Sequence, residues 1–195
     1  MTDAFDPLRQ VRPDRLEPAD PGDPATYTRA KDQLMSRITE NQLPAELIAT
    51  PDLYPRLAYN DELAAVDYLS RVFGFLEARE ARMEFGGHYL CWLRLGTGMV
   101  MVGHTNADVH QIHSPTDAGL TTVMFNVYVP NIDSHYATAT AQGADVTMEI
   151  EDAFYGERRY EATDPEGHRW HFAERFASIV QRDGRAPEPG ETPSQ

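Results

Sequence analysis

Tyr155-Gly156-Glu157-Arg158-Arg159-Tyr160 and, shortly after it, Asp164-Pro165-Glu166-Gly167-His168-Arg169-Trp170 are the stretch whose reading decides the fold. Asp-Pro and Gly punctuate hairpins, so residues 164–167 are expected to turn between a strand over 158–163 and a last strand over 170–173. Upstream, Thr121 to Val129 alternates as a strand, and Asn131 or Asp133 can cap a helix. Ile132, Tyr136 and Ala139 or Thr140 supply that helix with a stripe, Gly143 stops it, and a strand over 144–149 follows. The order is βαβββ. The same grammar occurs once earlier: a strand at 57–59, a cap at Asn60 or Asp61, the stripe Leu63, Val66, Leu69 and Phe73, and a stop at Gly74. Strands over 75–78, 89–95 and 99–102 come next, with Gly96 to Gly98 as a turn. Each module leaves one sheet face uncovered, so the two are expected to pair and to enclose a ligand site.

The expected fold class is therefore α+β, two paired βαβββ modules with an N-terminal helical extension. The extension covers 1–52: a proline-rich acidic arm, then a short helix striped with Tyr27, Ala30, Leu34 and Ile38. The first module covers 53–105, a linker 106–119, the second module 120–175, and a mostly disordered tail 176–195. A formal charge of −14, from 31 acidic and 17 basic residues, disfavours phosphate backbones and anionic membranes, so neither nucleic acid nor membrane is expected as a partner. No stretch reaches the ~18 apolar residues of a membrane span, and Met1 to Gln10 lacks a signal-peptide pattern, so a cytoplasmic protein is expected. Cys91, the single cysteine, sits between Leu90 and Trp92 in a strand and reads as a buried inert thiol.

The closing hairpin, YGERRY followed by DPEGHRW, resembles the vicinal-oxygen-chelate superfamily, the glyoxalase, bleomycin-resistance and dioxygenase group, and within it the PhnB-like subgroup. Phe73-Gly74-Phe75 is similar to the tripeptide that ends the family's first helix. The resemblance covers about 120 residues and implies a vicinal-oxygen-chelate domain, a small-molecule ligand and a homodimer. In metal-dependent relatives the ligands lie on the first and last strand of each module. The corresponding positions here are Tyr54, Met101, Met124 and His171, of which only His171 suits a hard or borderline divalent cation. No metal and no cofactor are expected. His104, His110 and His113 read as a solvated linker, His168 as a residue that hydrogen-bonds its own turn, and His135 as a solvent-facing helix residue.

Alternation also assigns faces. Val123, Phe125, Val127 and Val129 should pack under the helices, leaving Met124, Asn126 and Tyr128 toward the ligand. Trp170 and Phe172 go to the core, and Arg169 and His171 share the opposite face. Tyr155, Arg158, Arg159 and, from the first module, Trp92 and Arg94 complete the ligand-binding set. Without a nucleophile–base pair, the preferred function is binding or sequestration of a partly aromatic or anionic organic molecule. The alternative is a lyase, isomerase or epimerase in which His171 or Glu174 is the general base and an arginine steadies an enolate. A third reading is an interaction scaffold that docks the Thr26 to Thr39 helix on a partner.

Overall fold

The computed structural model describes residues 51–106 and 110–184; the expected arm and helix of the first 50 residues and the end of the tail lie outside them. The first module runs β1 (Arg56–Tyr59), α1 (Glu62–Phe73), β2 (Leu76–Glu77), β3 (Met83–Phe85), β4 (His88–Leu95) and β5 (Gly98–His104), with a 3-10 turn at Arg79–Ala81. A short helix, α2 (Pro115–Ala118), lies in the linker. The second module runs β6 (Met124–Tyr128), α3 (Ile132–Ala141), β7 (Asp145–Ala153), β8 (Glu157–Thr163) and β9 (Arg169–Arg175), and α4 (Phe176–Asp183) follows.

The two sheets repeat one topology, β1-β5-β4-β2 and β6-β9-β8-β7, each with its first strand parallel to its last. Three features were not anticipated. The hairpin β3 pairs with β4, β7 shifts register against β8, and the start of the expected tail is helical. Buried Ile179 anchors α4, and Arg182 on α4 donates to the Pro130 carbonyl and pairs with Glu174, which holds the helix against the second module.

Local chemistry sets the helix ends. The Asp61 carboxylate accepts the Ala64 N–H at 2.9 Å, and Gly74, at φ 75, closes α1 in the left-handed conformation that favours glycine. Asn131 caps α3 in the same way through Ser134 N–H. Ala65, Val66, Leu69, Val72 and Phe73 are the buried stripe of α1; Leu63, expected on it, is exposed. His135, expected to face solvent, is half-buried: its Nε2–H donates to the Phe73 carbonyl and its Nδ1 accepts from the Tyr160 hydroxyl.

One core lies on the helix side of both sheets. Phe73, at the end of α1, reaches into the second module to ring-centroid distances of 5.8 Å from Trp170 and 4.9 Å from Phe172, and Phe75 lies 5.3 Å from Trp170. Burying four such rings contributes roughly 6–12 kcal/mol before entropy is counted, at about 1.5–3 kcal/mol each. The modules therefore fold as one body.

The turn after β8 is the polar counterpart of that junction. Buried Asp164 accepts hydrogen bonds from Tyr59 hydroxyl (2.6 Å), Trp170 Nε1–H (3.1 Å) and the backbone N–H groups of Glu166 (3.1 Å) and His168 (3.0 Å). The Glu166 carboxylate accepts from Asn60 and Asp61 N–H at the start of α1, and His168 Nε2–H donates to the Ala58 carbonyl at 3.0 Å. His168 thus bonds to the first module, beyond its own turn.

Candidate functional site

Each sheet has an outer face, turned away from its helix. In the second module the register places Met124 beside Arg169, Asn126 beside His171 and Tyr128 beside Ala173. Across β9, Arg169 pairs with Thr163, His171 with Glu161 and Ala173 with Arg159. Directly paired side chains share a face, and the opposite face of these strands carries the core residues Phe125, Val127, Tyr160, Trp170 and Phe172. Met124, Asn126, Tyr128, Arg159, Arg169 and His171 therefore occupy one surface.

The groups on that surface interact. Glu161 stands between Arg169 Nη2 at 3.1 Å and His171 Nδ1 at 3.5 Å. The His171 side chain is 8% exposed and that of Glu161 17%, so the pair sits at the floor of the face while Met124 and Tyr128 remain exposed at its edge. Tyr128 hydroxyl donates to Glu157, a bond that raises its pKa, and the Arg175 guanidinium lies 4.0 Å from the Tyr128 ring centroid. Arg159 holds Glu151 at 2.8 Å and also bonds Tyr155, whose ring its guanidinium covers at 5.1 Å.

In the first module the outer face is apolar. Register runs Arg56 to Met101 to Trp92 and, one row along, Ala58 to Gly103 to Leu90. Trp92 and Met99 are buried with Ala78 and Ala81, and Tyr54, Met83, Leu90 and Met101 pack around them. Arg94, paired with Met99 and Leu76, shares this face. Gly103 makes room for Arg56: a Cβ there would lie 2.9 Å from Arg56 Nε and 2.7 Å from Leu90 Cδ2.

Three nitrogens on these outer faces are buried without a hydrogen-bond partner: Arg56 Nε, Trp92 Nε1 and Arg169 Nε. A buried N–H left unpaired costs about 1–3 kcal/mol, so each calls for an acceptor from outside the described residues.

Two expected site residues lie elsewhere. Arg158 and Glu174 share the phase of Tyr160, Trp170 and Phe172, which puts them on the helix side. Arg158 bonds Asp133 on α3 (2.9 Å) and Asp152 (2.5 Å). Glu174, buried, accepts the Ile132 N–H at 3.0 Å and pairs with Arg182. Glu174 therefore caps α3 and holds α4, and is too far round the strand to be a base beside His171. Among the described residues the cluster around Trp92 draws on the first module alone, and the second module's outer face is open. Arg56, Glu161 and Arg175 were missed, although alternation about Leu57, Tyr160 and Phe172 could have found them.

The metal positions implied by the family resemblance do not fit a cation. Tyr54 and Met101 pack in the apolar cluster, Arg56 stands opposite Met101, and His171 is matched by Asn126 with its Nδ1 turned to the Glu161 carboxylate. In the linker His110 and His113 are exposed, whereas His104 ends β5 and pairs with Glu62.

A family model described as "Glyoxalase/Bleomycin resistance protein/Dioxygenase superfamily" matches residues 53–172. An uncharacterized protein of Mycobacterium bovis is 30% identical over 125 residues, 62% of this chain and 80% of that protein. TioX from Micromonospora sp. ML1 is 33% identical, with a TM-score of 0.53, over 64% of this chain and 99% of that one. A glyoxalase/bleomycin resistance protein/dioxygenase from Nocardioides, 16% identical with a TM-score of 0.50 over 73% of this chain and 91% of that one, shares the fold.

Proposed function

Since the chain belongs to the glyoxalase/bleomycin resistance protein/dioxygenase superfamily, we propose that it binds and sequesters a partly aromatic, anionic organic molecule on the outer faces of its sheets, without a metal in that site. The observation that carries this reading is the set of unpartnered buried donors, Arg56 Nε and Trp92 Nε1 beside the apolar cluster of the first module and Arg169 Nε on the second. An apolar surface with a few placed donors is the composition of a ligand site, and guanidinium and indole N–H groups select acceptor-bearing, planar molecules. Because the two outer faces do not close on each other within the described residues, we infer that a second copy of the chain covers them in a homodimer. Net charge of −14 argues against nucleic acid, and no helix of the described residues is long and apolar enough to cross a membrane.

Trp92 and Trp170 are the two tryptophans, and Trp170 lies in the core. Titration with planar aromatic carboxylates should quench Trp92 fluorescence saturably, and native mass spectrometry should show one ligand per outer-face site in a dimer. Trp92→Phe should abolish the signal, and Arg169→Gln should weaken binding about tenfold through loss of a charged hydrogen-bond donor, worth ~1.5 kcal/mol. Quenching that persists in Trp92→Phe, or no saturable binder in such a panel, refutes the reading.

The Glu161–His171 pair favours a second reading, a lyase, isomerase or epimerase. A carboxylate near Nδ1 orients the imidazole, leaving Nε2 to take a proton from a bound substrate while Arg169 faces the developing enolate oxygen. The readings separate on His171→Ala: a binder keeps most of its affinity, whereas an enzyme loses roughly 10²-fold or more in turnover with binding preserved.

A further inference from the structure

We propose that Glu62, His88 and His104 form a binding site for a divalent transition-metal ion of the zinc class, where the first turn of α1 meets the start of β4 and the end of β5, apart from the Trp92 cluster. Glu62 is in the first turn of α1, His88 opens β4 and His104 ends β5, so three elements distant in sequence bring the groups together. One ligand atom from each lies within 4.8 Å of the others. Glu62 Oε1 is 3.3 Å from His104 Nδ1 and 3.5 Å from His88 Nδ1. Zinc bonded to nitrogen and carboxylate oxygen at about 2.0–2.2 Å in a tetrahedron sets its donor atoms roughly 3.3–3.6 Å apart. Both measured separations fall in that range.

Burial strengthens the case. The Glu62 side chain is 6% exposed, and the basic side chains paired with it among the described residues are these two histidines. A buried carboxylate is costly without strong partners, and the Tyr89 N–H at 3.3 Å is a long one. His104 Nδ1 is itself buried and makes no hydrogen bond, although the carboxylate oxygen is beside it. That leaves one lone pair and one carboxylate oriented toward the same small volume, which a cation satisfies together.

The two imidazoles are stacked, with ring centroids 3.6 Å apart at 20°. Parallel rings cannot both aim an in-plane lone pair at one ion, so one must turn about its χ2 torsion when the ion binds. His88, at the start of its strand and 50% exposed, is free to do so. His104 stays in place, its carbonyl held by Arg56 Nη2 at 3.3 Å. The set is then two histidines and a glutamate, with the fourth position open to water on the exposed His88 side. Hard, oxygen-seeking ions such as Ca²⁺ are disfavoured, because two of the three donors are imidazole.

The test uses untagged, chelator-stripped full-length protein titrated by calorimetry with Zn²⁺ and Ni²⁺ alone, with Co²⁺ absorption as a coordination readout. One saturable ion per chain is expected, with a tetrahedral Co²⁺ spectrum. His88→Ala, at an exposed position that leaves the core untouched, should weaken binding at least tenfold. His104→Gln should do the same, and the His110→Ala/His113→Ala double variant should bind like the parent. Binding that is absent, unsaturable, unchanged in His88→Ala with circular dichroism intact, or lost in the linker double variant overturns the proposal. Because the readout is metal stoichiometry, its failure leaves the ligand reading of the outer faces to stand or fall on its own titration.

Discussion

Replacing Asp164 by alanine should cost more stability than any surface change, because its carboxylate joins the modules through four donors. Tyr59 and Trp170 are each 1% exposed, so their hydroxyl and indole N–H cannot turn to water when the acceptor is removed. Each buried orphan costs about 1–3 kcal/mol. The two together cost about 2–6 kcal/mol, and the two turn N–H groups add to this. Removing a buried charge returns part of that, which leaves a net loss of about 3–5 kcal/mol. Tyr59→Phe removes one donor and leaves the carboxylate three, so it should cost only about 1–2 kcal/mol. Urea unfolding followed by far-ultraviolet circular dichroism measures both, since Trp170 fluorescence would itself respond to the substitution. The midpoint should fall with the slope unchanged. In the double variant the losses should fall short of additivity by more than about 0.5 kcal/mol, as for residues in direct contact. A loss below about 1 kcal/mol in Asp164→Ala, or strict additivity with Tyr59→Phe, would refute the clamp.

Two further outcomes follow from buried groups. Burial lowers the His135 pKa, so the unfolded chain binds the proton more readily than the folded one; stability should fall as pH drops below about 6.5 and level off below the folded value, and His135→Gln should flatten that dependence in thermal melts between pH 7.5 and 5. Burial pushes the Cys91 thiol up to about 12, so iodoacetamide at pH 8 should leave the native protein unmodified and alkylate it fully in denaturant; rapid alkylation of native protein would contradict the burial.

The order of elements was legible in the sequence because it is written locally. Asp61, Gly74, Asn131 and the Asp164 to Gly167 turn act over three or four residues, and alternation in β6 and β9 assigned Phe125 and Trp170 to the core and Asn126 and His171 to the outer face. The same rule put Arg158 and Glu174 on the helix side, where Asp133 and the start of α3 hold them; proximity in sequence to His171 had suggested otherwise. The helix α4 was hidden because its buried anchor is a single isoleucine, Ile179, and its main tie is the long-range pair Arg182–Glu174.

What the sequence by itself determined was thus the periodic and capping pattern, and with it two βαβββ modules and the face of each strand residue. Which groups meet across the modules was decided only by the tertiary structure. Tyr59 finds Asp164 and Asn60 finds Glu166, at separations of 105 and 106 residues in the chain. No local signal encodes such meetings, because they depend on the helix-side packing of Phe73 against Trp170 and Phe172, which sets how one module lies against the other.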